Sequence, residues 1–134
     1  MAYWLLKSEP DVYAYADLER DGQTVWDGVA NAQAVNFIKT MQVGDYCIIY
    51  HTGDERRVAG IAVVVTPPYQ DPHDPTGRWK VVDVAAVQVL PNGLQLAQIK
   101  ALPLFADSHL VRQGRLSVVP LSDAQYALLT AGTV

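Results

Sequence analysis

The run Tyr3-Trp4-Leu5-Leu6-Lys7-Ser8-Glu9-Pro10 reads as a first short strand, aromatic and apolar from Tyr3 to Lys7 and closed by Ser8-Glu9-Pro10. No glycine-rich loop follows it, so the phosphate-binding turn that opens a doubly wound sheet is missing. Further along, strand and helix signals alternate irregularly. This predicts an α+β domain: a small, strongly curved sheet or barrel decorated by short helices.

Tyr15 to Asp21 predicts a helix ending at Gly22, a residue that enters the left-handed region without strain. Ala34, Phe37, Ile38 and Met41 fall at i, i+3, i+4 and i+7, one apolar helical stripe with Gly44 just beyond it. Tyr46 to His51 and Val58 to Thr66 are β-rich runs joined by Thr52-Gly53-Asp54-Glu55, the pattern of a hairpin. The stretch from Pro67 to Gly77 holds four prolines and reads as a stiff surface loop, a lid or a spacer. Trp79 to Leu90 is the longest strand candidate, ended by Pro91-Asn92-Gly93, and a brief helix at Leu96 to Lys100 is stopped by Pro103. Ser122-x-x-Gln125 is a capping box; Leu121 and Tyr126 are placed to form a hydrophobic staple, and Gly132 would end the helix.

Composition narrows the function classes. A chain of 134 residues, half of them hydrophobic and 18% charged, can bury a core without staples and fits one domain spanning 1–134. The single cysteine, Cys47, forms no internal disulfide, and the apolar runs fall far short of the ~20 residues of a membrane helix. With no signal-peptide pattern at Met1-Ala2-Tyr3-Trp4, a cytoplasmic protein, a monomer or weak dimer without a membrane partner, is expected. The net charge of −4 argues against tight, non-specific binding to duplex, which rests on phosphate neutralisation. It leaves room for recognition of a single base.

Common catalytic signatures, from Walker loops to HExxH, do not occur. His73 between Asp71 and Asp74 is the nearest thing to a metal cluster, but it sits in a proline-rich loop in a chain with three histidines, and neither a metal nor a cofactor is expected. Lys7-Ser8-Glu9 reads in two ways: an acid–base pair at a strand end, or, more simply, a salt bridge beside a turn-capping serine. Trp26-Asp27-Gly28-Val29-Ala30-Asn31 is a tryptophan in a polar, glycine-containing loop before a helix opening near Asn31. Trp26 offers a face for stacking a base, with Asp27 and Asn31 to read its edge. Equally, Trp26 plugs the core while Asp27 or Asn31 caps the helix.

Together, Tyr3 to Pro10, Trp26-Asp27-Gly28-Val29, Asn36-Phe37, Val43-Gly44-Asp45, Tyr50-His51, Gly60-Ile61-Ala62 and Arg112-Gln113-Gly114-Arg115-Leu116-Ser117-Val118 resemble the EVE domain, a member of the PUA-like superfamily, in the family's order over nearly the whole chain. The resemblance implies a mixed pseudo-β-barrel surrounded by short helices, close to the YTH and ASCH folds. It implies a non-enzymatic domain that accepts a modified nucleobase flipped from DNA or RNA. The implied pocket draws on Lys7, Ser8, Trp26, Asp27, Asn31, Tyr50, His51 and Arg112. The alternatives are a small ASCH-like amidohydrolase using Lys7 and Glu9, or a small-metabolite or protein-interaction module. Where the family writes Trp-Asp-Gly-Val-Arg-Asn-Tyr-Gln-Ala-Arg-Asn, this chain has Ala30, Ala32 and Val35 in place of Arg, Tyr and Arg. Backbone contacts are then weak, are supplied by Arg56, Arg57, Arg78 and Lys80, or are not needed because the ligand is a free nucleoside or other small molecule.

Overall fold

The computed structural model describes residues 2–27 and 31–131. Its strands are β1 (Tyr3–Ser8), β2 (Gln23–Trp26), β3 (Tyr46–His51), β4 (Arg57–Val64), β5 (Tyr69–Gln70), β6 (Lys80–Val89) and β7 (Val118–Leu121). Its helices are α1 (Tyr15–Asp21), α2 (Ala32–Ile38), α3 (Leu96–Lys100), α4 (His109–Arg112) and α5 (Asp123–Thr130), with a 3₁₀ turn at Pro103–Phe105. The strand order is β2-β6-β4-β3-β1-β7, with β5 added to β6. The α+β expectation holds. Among the described residues the sheet does not close by pairing, since β2 and β7 remain as its two ends.

β1 runs parallel to β3 and antiparallel to β7, and every other pairing is antiparallel. A parallel pair needs a long crossover, and α1, β2 and α2 fill it here. Leu5, Leu6, Ile48 and Ile49 are all essentially inaccessible, so β1 and β3 are buried on both faces. This explains why their sequences are continuous apolar runs rather than alternating ones.

Polar side chains fasten this core at specific points. Asp45 is buried, and its carboxylate accepts from the Trp4 indole Nε1 (3.1 Å) and from the amides of Gln42 (3.0 Å) and Ala2 (3.2 Å). Gly60 faces the ring of Tyr15 so closely that a Cβ would come within 2.4 Å of it. The Tyr15 hydroxyl donates to the Ile61 carbonyl, which fixes the ring in place. Gly22 does close α1, at φ 80° with its amide on the Leu18 carbonyl.

Several elements depart from the sequence pattern. The apolar stripe is right in its burial, since Ala34, Ile38 and Met41 are buried, but α2 ends at Ile38 and Met41 packs from the turn that follows. The proline-rich stretch contains β5, and Asp74 ties it down by accepting from the Thr76 hydroxyl and amide and from the Trp79 amide. These bonds, led by that from Thr76, hold the Asp74 carboxyl below its ordinary range. Pro103 starts the 3₁₀ turn instead of simply ending a helix. Ser122 and Gln125 form their reciprocal cap. Tyr126 stacks on Tyr3, with ring centroids 4.1 Å apart, and Gly132 lies outside the described residues.

Gly60→Ala forces its methyl into a ring that cannot swing away. A loss of about 1–3 kcal/mol is expected, the usual penalty for overpacking a core, and urea denaturation measures it. Burial, reinforced by Tyr3 and Tyr46, pushes the Tyr126 phenol up to about 12 from an ordinary 10.0. The folded chain thus keeps this proton longer than the unfolded chain does. The contribution is complete below pH 10 and is lost as pH rises through about 12. Tyr126→Phe should make stability fall less steeply over that window in denaturation curves taken at successive pH values.

Candidate functional site

A pocket of about 520 Å³ opens where β1 ends. Lys7, Ser8 and Glu9 form one side, Thr24, Val25, Trp26 and Asp27 another, and Val12, Tyr13 and Ser117 complete it. The sheet creates this opening. β1 and β2 lie well apart in the strand order, yet both reach the pocket with their C-terminal ends. Ser8 closes the following turn, its hydroxyl donating to the Tyr13 carbonyl. The Lys7 ammonium donates to the Gly114 carbonyl at 2.8 Å, and burial lowers its pKa. No Lys7–Glu9 ion pair forms, because the lysine turns toward the 113–117 loop; of the simpler reading, only the turn-closing serine is found.

Trp26 was expected in a loop and instead ends β2, its register partner being Val82. It is 7% exposed and belongs to the core cluster, and the residue also borders the pocket. Of the two opposed readings of this residue, the core one holds. Asp27 is exposed beside it. The carboxylates of Asp27 and Glu9 make no hydrogen bond with any described residue, which leaves them free to accept from a ligand. Gly28, Val29 and Ala30, the centre of this motif, lie outside the described residues.

The other candidates are dispersed. Asn31 caps α2, accepting from the Ala34 amide at 3.0 Å, and borders a separate cleft. Tyr50 and His51 stand next to Lys7 and Ser8 in register, but both are buried and neither lines the pocket. His51 has a different duty. Its Nε2 accepts from the Tyr15 amide at 3.0 Å, and Nδ1 lies 2.9 Å from Glu55, which assigns the proton of the neutral ring to Nδ1. This holds the first turn of α1 against β3. Arg112 is exposed and pairs with Asp107 at 3.4 Å. Arg56 donates to the Gly53 carbonyl, Arg57 to the Pro91 carbonyl, Arg78 lies over the Trp79 ring at 4.9 Å, and Lys80 opens β6. None of these four borders the pocket. Val35, where the motif would carry a cation, is buried and contributes packing. Among the described residues no group of three or more histidines, cysteines or carboxylates could hold a metal, and no helix is long and apolar enough to cross a membrane.

Val12, Tyr13, Thr24, Val25 and Ser117 were missed as pocket residues, and Glu9 was named only for the amidohydrolase alternative. Only Glu9 carried a signal, its place at the end of an apolar strand. Thr24 and Ser117 come from segments whose strand character rests on long-range pairing.

This mixed sheet with a pocket at the end of its first strand is the fold of a known group. The EVE domain family model matches residues 2–131, and the chain belongs to that family. Human thymocyte nuclear protein 1 is 31% identical over 93% of this chain and 71% of its own length. Its structure with DNA containing 5-methylcytosine superposes with a TM-score of 0.84 at 28% identity, covering 96% of this chain and 95% of that one. A Pseudomonas syringae protein of known crystal structure is 38% identical with a TM-score of 0.91, covering 99% of this chain and all of that one. The YTH domain of Zygosaccharomyces rouxii MRB1, solved with N6-methyladenosine RNA, shares the fold alone, at 12% identity and TM-score 0.50, over 91% of this chain and 73% of that one.

His51→Leu leaves the Tyr15 amide buried without an acceptor. Equilibrium denaturation should show a loss of about 1–3 kcal/mol, while His51→Gln, which keeps an acceptor, recovers part of it.

Proposed function

We propose that this chain binds a modified nucleobase of DNA or RNA, turned out of its strand and held between Trp26 and the Lys7-Ser8-Glu9 edge. The observation that carries this reading is the pocket itself. At about 520 Å³ it falls in the usual range for small-ligand sites, and it brings Trp26 together with two carboxylates that bond no described residue. Flipping a base costs a few kcal/mol, which stacking and edge hydrogen bonds can offset. Carboxylates accept from an exocyclic amino group, such as that of cytosine or adenine, and have nothing to offer a keto oxygen. The relative solved with 5-methylcytosine DNA is consistent with an amino-bearing base.

The site gives no particular support to an amidohydrolase. Lys7 and Ser8 both donate to main-chain carbonyls, so neither is set up as a base or nucleophile.

Trp26→Ala is a poor test, because emptying a core tryptophan costs about 3–5 kcal/mol. Asp27→Asn is cleaner, as the side chain is exposed and bonds no described residue. It should weaken binding of a 5-methylcytosine oligonucleotide about tenfold or more, in line with the discrimination of a good edge contact, with the melting temperature unchanged. Calorimetric titration should also rank that oligonucleotide above matched cytosine and thymine controls. Equal affinity for all three, unaltered by Asp27→Asn, would rule the reading out.

A further inference from the structure

We propose that a second cleft, adjoining the base pocket, receives a phosphate of the nucleic acid whose base enters that pocket; this rests on the base-binding reading. The cleft measures about 250 Å³ and is lined by Asn31, Gln33, Gln113, Gly114, Arg115 and Leu116. It neighbours the base pocket, since Lys7 of the pocket donates to the Gly114 carbonyl of the cleft at 2.8 Å and Leu116 of the cleft precedes Ser117 of the pocket. A ligand spanning both has a base on one side of this bond and a backbone on the other.

The chemistry of the two cavities differs in the way a nucleotide would require. The base pocket contains the carboxylates of Glu9 and Asp27, which repel an anion. No carboxylate lines the cleft. The Asn31 carbonyl oxygen is engaged by the Ala34 amide, which leaves its NH₂ to donate. Gln33 and Gln113 bond each other reciprocally at 3.2 and 3.3 Å, and each retains one N–H. Arg115 is exposed and makes no hydrogen bond or ion pair with any described residue. A guanidinium with amide donors and no competing acid matches a phosphodiester oxygen.

Other arginines have partners away from the pocket. Arg20 bridges Asp17 and Asp21, Arg112 pairs with Asp107, and Arg78 stacks on Trp79. Arg115 is therefore, beside Lys7 with its bond to Gly114, a cation placed to hold the backbone near a bound base. One such contact suits a chain of net charge −4 and predicts a shallow salt dependence.

The test measures binding of the free 5-methylcytosine nucleoside and of a single-stranded 5-methylcytosine oligonucleotide over a series of salt concentrations. Arg115→Gln should weaken the oligonucleotide by roughly tenfold at low salt and reduce the magnitude of the log–log salt slope by about 0.7. Nucleoside affinity should stay unchanged, as should the slope for Arg78→Gln and Lys80→Gln. An unchanged slope in Arg115→Gln, or a wild-type oligonucleotide affinity that ignores salt, overturns this inference while leaving base binding intact. Binding of neither ligand by the wild-type chain overturns both.

Discussion

Everything near the site depends on β1 being gripped along both edges, by β3 in parallel and by β7 antiparallel. Tyr3 to Leu6 are paired on both sides, but Lys7 and Ser8 continue beyond the β7 ladder and stay paired with β3 alone. The strand is thus rigid where it crosses the core and loses a neighbour where it reaches the pocket. Lys7 reclaims a partner by donating its ammonium to Gly114, and its amide bonds the Ser117 carbonyl. The residues of β1 that run past the β7 ladder are those that shape the cavity.

Much of the architecture was legible because its signals are local. β1, the β3–β4 hairpin, the long β6, α1 with its glycine end and the Ser122 cap follow from periodicity, turn residues and capping chemistry over a few positions. β2 and β7 were not legible. Gln23-Thr24-Val25-Trp26 has no clear alternation, and Val118-Val119-Pro120-Leu121 is interrupted by a proline. Each becomes a strand through a distant partner, β6 in one case and β1 in the other. Because β2 was read as loop, the sequence left a stacking face and a core plug equally open for Trp26, which is a core residue that borders a cavity.

The candidate site was legible in part for a related reason. Lys7, Ser8, Trp26 and Asp27 meet at one pocket. Tyr50 and His51 share the motif pattern but face inward, and His51 is a helix anchor whose bond to the Tyr15 amide spans 36 residues. A motif records that a residue type matters at a position. It does not distinguish touching a ligand from holding up the wall behind it. That distinction depends on which face of a strand is covered, and so on tertiary packing.

The position of Trp26 has a dynamic consequence. It is the final residue of a four-residue strand that pairs with β6 and forms one end of the sheet. Edge strands of this length open locally at far lower free energy than the centre of a sheet. One wall of the pocket is therefore mounted on a short strand paired along a single edge, while the opposite wall belongs to β1, which is paired along both. Occupancy of the pocket would therefore be felt first in the amide exchange of Gln23–Trp26.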